Sequence, residues 1–238
     1  MNKRYSYIGL ESRVQYEILE ATLYDYLDTG LFDRVKCLSH IKQLTKGENR
    51  ANKILKHIGL FISRNSTVLE QFAKSVSLET FKDLNISDRY ALIISLFSNS
   101  FPITYDTLTS FAQVFNVQEN VSKEAIIQKI SSVYGSNRSM HIAVGELLTL
   151  FTEIGLISRK KVGIYTRGHK LKVSNKFVAE LIILTDIKLS GSKSILVEDI
   201  SSRVWYSYFD LGLIEFQDSL SYLTKMESSM GKGYLTIR

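Results

Sequence analysis

Arg159, Lys160, Lys161, Arg167, Lys170, Lys172 and Lys176 fall between Glu153 and Glu180 with no acid among them. The whole 238-residue chain carries only +6, from 30 Lys+Arg and 24 Asp+Glu. Seven cations in one stretch therefore exceed the net charge of the molecule. Positive charge gathered in this way attracts phosphate, anionic lipid or an acidic protein surface. Alternation across 164–173 places Ile164, Leu171 and Val173 on one side and Thr166, Lys170 and Lys172 largely on the other. That pattern predicts a basic hairpin, with Tyr165 and His169 adding side chains able to stack or hydrogen-bond at a sugar-phosphate edge. Lysines also guard exposed strand edges, but an edge that is merely kept soluble usually mixes charge signs.

A second set, Ser136, Asn137, Arg138, Ser139 and His141, falls at the predicted start of a helix. Small polar groups there are ordinary caps. They also leave N–H donors open to phosphate, and Arg or Asn in such a place reads base edges. A third set, Lys42, Lys46, Arg50, Lys53, Lys56 and Arg64, lies in the N-terminal half. Lys46, Arg50 and Lys53 follow at i, i+4, i+7 and share a helix face, which most often is simply solvated. Lys3 and Arg4 make a small basic arm.

Catalytic and metal chemistry find little footing. The histidines are His40, His57, His141 and His169, and Cys37 is the lone cysteine. No H-x-x-x-H, H-E-x-x-H or C-x-x-C spacing occurs, nor a G-x-S-x-G, Walker A or G-x-G-x-x-G frame. Glu17 with Glu20, and Glu198 with Asp199, are carboxylate pairs without a framework for a metal. No cofactor, no metal and no enzymatic activity are expected. One cysteine excludes an intrachain disulfide and is expected to be a buried apolar residue. The apolar runs are far shorter than the roughly 20 residues of a membrane span, and MNKRYSYIGLESR has no leader-like apolar core. A cytoplasmic protein without membrane contact is the expectation.

The elements that must position these cations are mostly helical. Pro102 is the one proline, and apolar residues recur with a period near 3.6. Helices are predicted over 10–28, 33–45, 50–63, 66–75, from Ser77, and from Ser87, Pro102, Ser122 and Asn137 or Ser139. Gly30, Gly135 and Gly155 stand where helix-ending glycines belong. Strands are predicted at 156–160, 162–167 and 169–174. Residues 176–187, 195–209 and 215–229 read as helices, and GYLTIR as a closing strand. FDLGLIEF echoes FTEIGLIS and suggests a second, weaker unit of the same kind.

The fold class is therefore mainly α: an N-terminal helical bundle over 1–84, a winged-helix-like unit over 85–175, and a small α-rich extension over 176–238. In a winged helix, the helix before the hairpin packs on two others, and the hairpin is the wing.

The order of NKILKHIGLFISRNSTVLEQF, DRYALIISLFSNSFPITYDTL and a helix running into EIGLI and a hairpin resembles the BrxA family of bacterial BREX phage-defence systems. Arg64, Arg89 with Tyr90, and Leu150, Glu153, Gly155, Leu156 and Ile157 carry the resemblance, over roughly residues 10–175. Residues 176–238 lie beyond it. The resemblance implies a NusB-like bundle with winged-helix character, sequence-tolerant DNA binding, and partners among the proteins of a defence locus.

The expectation is a non-enzymatic double-stranded DNA-binding protein. It would contact phosphate through the hairpin 158–172 and the N-terminus of helix 138–154, with Arg138, Arg159, Lys160, Lys161, Arg167, His169, Lys170 and Lys172 as its DNA-binding residues. The alternatives are an adaptor that docks an acidic protein, with its aromatic-rich helices as docking face, and a winged-helix transcriptional regulator, which needs a dimer and a palindromic operator. A homodimer stays open.

Overall fold

The computed structural model describes residues 8–75, 78–212, 221–228 and 231–238. The chain is mainly helical, with small sheets. Helix α1 (Tyr16–Thr29), α2 (Arg34–Leu44), α3 (Glu48–Arg64), α4 (Ser66–Ser75) and α5 (Leu78–Asp83) make the N-terminal half. Local chemistry accounts for their ends. The Asp33 carboxylate accepts from the Val35 and Lys36 amides, and Gly30 adopts φ 70° to close α1. The helix expected from residue 10 begins only at Tyr16. Residues 10–15 are a strap instead, although Leu10 and Val14 are buried as the apolar pattern requires.

The strap is held at several points. The Glu11 amide donates to His57 Nε2 of α3 at 3.2 Å, and Gln15 Nε2 donates to the Leu44 carbonyl at the end of α2.

Helix α6 (Ile86–Ser100) and α10 (Lys176–Ser190) pack closely and are almost wholly buried. Asn85, rather than Ser87, caps α6 by accepting from the Asp88 amide at 2.9 Å. Buried Asp88 accepts from the Ser174 amide and hydroxyl, so the start of α6 fastens the chain just before α10. One cluster of buried side chains runs from Ile8 to Leu235 and draws on every part of the chain. Cys37 is buried in it, and burial pushes its thiol pKa up.

Between α6 and α10 lie α7 (Ile103–Phe115), β1 (Val121–Ser122), α8 (Lys123–Tyr134), α9 (Arg138–Glu153), β2 (Ile157–Lys161) and β3 (Ile164–Arg167). The three strands form an antiparallel sheet in the order β1-β3-β2. The caps are as expected. Ser122 Oγ accepts from the Ala125 amide, and Asn137 Oδ1 from the Met140 amide.

The C-terminal region differs from expectation. Residues 195–209 form no α-helix. They make β5 (Ser194–Leu196), two 3-10 turns (Val197–Ser202, Val204–Tyr208) and β6 (Phe209–Asp210). The helix expected over 215–229 lies partly outside the described residues, as does part of the echo FDLGLIEF. Its remainder contains β7 (Leu223–Ser228), which pairs with β8 (Gly231–Ile237), the expected closing strand. Trp205, Tyr206 and Tyr208 fill the core rather than a helix face. Trp205 Nε1 donates to the Ile182 carbonyl and Tyr208 Oη to the Leu108 carbonyl, pinning the 3-10 turns between α10 and α7. The aromatic content that α-helical periodicity seemed to organise is in fact organised by these long-range bonds.

Candidate functional site

The hairpin β2–β3 turns at Val162-Gly163, where Gly163 takes φ 75°. Its register runs Ile157↔Arg167, Ser158↔Thr166 and Arg159↔Tyr165, then shifts to Lys161↔Ile164. The shift is a bulge at Lys160. Strict alternation would turn one of two successive residues inward. With the bulge, Arg159, Lys160 and Lys161 are all exposed.

Lys160 Nζ donates to Asn120 Oδ1 at 2.9 Å, and Arg167 donates to Asn116 Oδ1 at 3.0 Å. The Arg167 guanidinium also lies 5.6 Å from the Phe115 ring centroid. Both hydrogen-bond partners are neutral amides, so they orient the cations without cancelling their charge. Among the described residues, Arg138, Arg159, Lys160, Lys161, Arg167, Lys170 and Lys172 make no ion pair. Glu119 tempers the field at one end, where it lines a shallow depression with Phe115, Thr166 and Arg167.

Helix α9 presents Arg138, Ser139, His141, Ile142 and Thr149 to solvent, and buries Met140, Ala143, Val144, Leu147, Leu150 and Phe151. Arg138 and His141 therefore sit at the exposed N-terminal end of the helix that leads into the hairpin. A residue not singled out from sequence joins the two. The Lys123 amide donates to the Gly163 carbonyl at 2.8 Å, while Lys123 Nζ reaches α9, lying 3.4 Å from where a Cβ on Gly145 would stand. It was missed because its role depends on β1 and the first turn of α8 meeting the hairpin tip, which no local spacing encodes.

Three predicted residues sit elsewhere than expected. His169, Lys170 and Lys172 are exposed but are not in the hairpin. Strand β4 (Leu171–Lys172) pairs in parallel with β6, Lys172 standing opposite Asp210. Lys170 lines a pocket of about 310 Å³ with Val197, Tyr206 and Leu211. The chain leaves the hairpin through a close crossing. The Gly168 amide donates to the Leu156 carbonyl and the His169 amide to the Gly155 carbonyl. The His169 ring covers Gly155, so it marks the base of the hairpin rather than its tip.

The inward side of β3 is also shifted by one residue. Tyr165, expected at the phosphate edge, is buried edge-on against Phe111. Because β3 is the central strand, its inner side chain is chosen by what lies under the sheet.

Of the two carboxylate pairs, Glu20 has structural partners. Glu20 accepts from Tyr16 Oη at 2.7 Å and from Arg89 at 2.9 Å. Burial of Tyr16, with the Glu20 carboxylate beside its hydroxyl, pushes the phenol's pKa upward. Tyr90 packs edge-on against Tyr16. Arg64 donates to the Ser100 carbonyl and lies over the Phe101 ring. Both arginines that carry the resemblance thus tie helices together. Among the described residues, no group of three or more His, Cys, Asp or Glu suited to a metal occurs, and no helix is long and apolar enough to cross a membrane.

No family model, no curated protein and no solved structure matches the chain.

Proposed function

We propose that this chain is a non-enzymatic double-stranded DNA-binding protein that grips backbone phosphate through a winged-helix unit over residues 103–167. The observation that carries the reading is the bulged hairpin with Arg159, Lys160 and Lys161 all exposed and without an acid partner among the described residues. Supporting it is the element order α7-β1-α8-α9-β2-β3 with strand order β1-β3-β2, the layout in which α9 serves as recognition helix and β2–β3 as wing. Arg138, His141 and Lys123 contribute along α9, and Arg167 at the hairpin base. Lys170 and Lys172 contribute from β4 and the residue before it, and His169 from the base of the hairpin. The resemblance to BrxA proteins extends the proposal to a cytoplasmic role in a BREX-like phage-defence system, with DNA and other proteins of the locus as partners.

The test is a fluorescence-anisotropy titration with a random-sequence duplex at low and moderate salt. About six phosphate contacts give a slope of log K on log salt of roughly −5. The triple variant Arg159→Glu, Lys160→Glu, Lys161→Glu is expected to lose salt-sensitive binding. A wild type that binds no duplex, or a slope near zero, overturns the reading.

A second reading, an adaptor subunit, is favoured by Leu31 and Val35, which are 73% and 81% exposed around the α1–α2 turn. It predicts a stable complex with a co-expressed neighbour and no DNA binding at moderate salt.

A further inference from the structure

Charge in this chain is segregated twice, not once. Residues 34–69 hold eight Lys/Arg against the single acid Glu48, and residues 154–179 hold seven against none. The rest of the chain carries 15 Lys/Arg and 23 Asp/Glu, so both basic surfaces are set in an otherwise acidic molecule. In the first segment, Arg34 and Lys36 stand at the start of α2, where Lys36 is held by Asp25 at 2.6 Å. Lys46, Arg50, Lys53 and Lys56 lie in the turn before α3 and along its outer face, and all are exposed. No acid occurs between Asn49 and Thr67. Lys46, Arg50 and Lys56 make no ion pair among the described residues. Lys53 has only a 3.9 Å approach to Glu11, with both side chains about half exposed.

The fold connects this face to the hairpin. Glu153, in the last turn of α9, accepts from Arg13 at 3.0 Å and from the Tyr16 amide at 3.3 Å. Two residues along the strap from Arg13, Gln15 reaches Leu44, and Lys46 follows two residues later. On the other side of Arg13, Glu11 meets His57 and Lys53. The helix end that launches the wing is thus one strap away from the basic face of α3.

We propose that Lys46, Arg50, Lys53 and Lys56 form a second phosphate-contacting surface, which lengthens the footprint on duplex DNA beyond what the wing and α9 cover. The proposal rests on the DNA-binding reading above. The N-terminal bundle then serves as an electrostatic outrigger that takes backbone phosphate, the sequence-independent contact that exposed Lys and Arg side chains make.

The experiment compares duplexes of about 10 and about 30 base pairs over a salt series. It uses the wild type, the variant Lys46→Glu, Arg50→Glu, Lys53→Glu, Lys56→Glu, and the same four positions changed to Gln. All four residues are exposed, and circular dichroism checks that the variants fold. On the short duplex the wild type and both variants are expected to bind alike. On the long duplex the Gln variant is expected to lose about 3 to 4 from the magnitude of the salt slope, at roughly 0.9 per phosphate, and the Glu variant to bind more weakly still. Unchanged slope and affinity on the long duplex, while the hairpin variant has lost binding, overturns the second surface and leaves the wing reading intact. A wild type that binds neither duplex overturns both.

Discussion

The Arg13 guanidinium donates to the Glu153 carboxylate at 3.0 Å across 140 positions of sequence. The other oxygen of the same carboxylate accepts from the Tyr16 amide. One side chain at the end of α9 thus caps the start of α1 and pairs with the strap. The two partners are not equivalent. Arg13 and Glu153 are 34% and 26% exposed, so their ion pair is partly screened by water.

Arg13→Ala is therefore expected to cost only a few tenths of a kcal/mol, in the range of exposed pairs. Glu153→Ala is expected to cost about 1 kcal/mol, because it also strips the cap from α1. Glu153→Gln retains an acceptor for the Tyr16 amide and should fall between them. Urea melts of the three variants check the order.

His57 sets a pH dependence. Burial pushes its pKa down to about 4, and its Nε2 accepts from the Glu11 amide, which an imidazolium cannot do. The folded state thus binds this proton less readily than the unfolded chain, whose His titrates near pH 6.5. Stability is fully present above about pH 6.5 and is lost as pH falls toward the folded value. Between about pH 7 and pH 5 the loss is about 2 kcal/mol, at 1.36 kcal/mol per unit. Nearby Lys53 and Lys56 push the same way, and Glu11 opposes them. Buried Glu180, which accepts from the Ser221 and Tyr222 amides, has its pKa raised by burial and changes stability in the opposite sense. Denaturant melts at the two pH values, on the wild type and on His57→Gln, isolate the histidine. The difference between the proteins is expected at neutral pH and to shrink or reverse in acid.

Gly168 is expected to tolerate no side chain. A Cβ there would stand 2.0 Å from the Gly155 carbonyl oxygen, which is backbone and cannot step aside. Gly163→Ala meets nothing within 4 Å and is strained only by its φ of 75°. Gly163→Ala should cost about 1 kcal/mol. Gly168→Ala should cost more, about 2 to 3 kcal/mol, and, under the proposed function, should weaken DNA binding beyond its effect on folding, because the crossing sets where the hairpin leaves α9. Thermal melts with anisotropy on the folded fraction check this.

Asp186 is 1% exposed and accepts from Tyr105 Oη and Arg203 Nε, each at 2.6 Å. Its charge joins α10, α7 and Arg203, which lies between the two 3-10 turns. Tyr105→Phe removes one hydrogen bond, a loss of about 1 to 2 kcal/mol. Arg203→Met leaves a buried carboxylate without its cation and is expected to cost about 3 kcal/mol. The double variant Asp186→Asn, Arg203→Met should recover part of that loss. A double-mutant cycle by urea denaturation measures the coupling; equal costs for the double and the Arg203→Met variant would remove the charge argument.

Periodicity and caps were enough to find α2 to α10, because a helix is built from bonds between near neighbours and its ends are written in residues such as Asp33, Ser122, Asn137 and Gly155. The basic stretch after Glu153 was equally legible, since charge is a property of composition. Tertiary structure alone decided which cations stand together. Strand β4 reads as the hairpin's third strand, yet its partner is β6, which lies 38 residues further on. That choice takes Lys170 and Lys172 away from Arg159. The bulge at Lys160 and the burial of Tyr165 under a central strand likewise depend on what lies across the sheet. The strap at 10–15 looks helical by spacing, but Glu11, Arg13 and Gln15 hydrogen-bond to His57, Glu153 and Leu44, which lie 29 to 140 positions away. Pairings of that range cost loop-closure entropy that only the assembled core offsets, so no local pattern announces them.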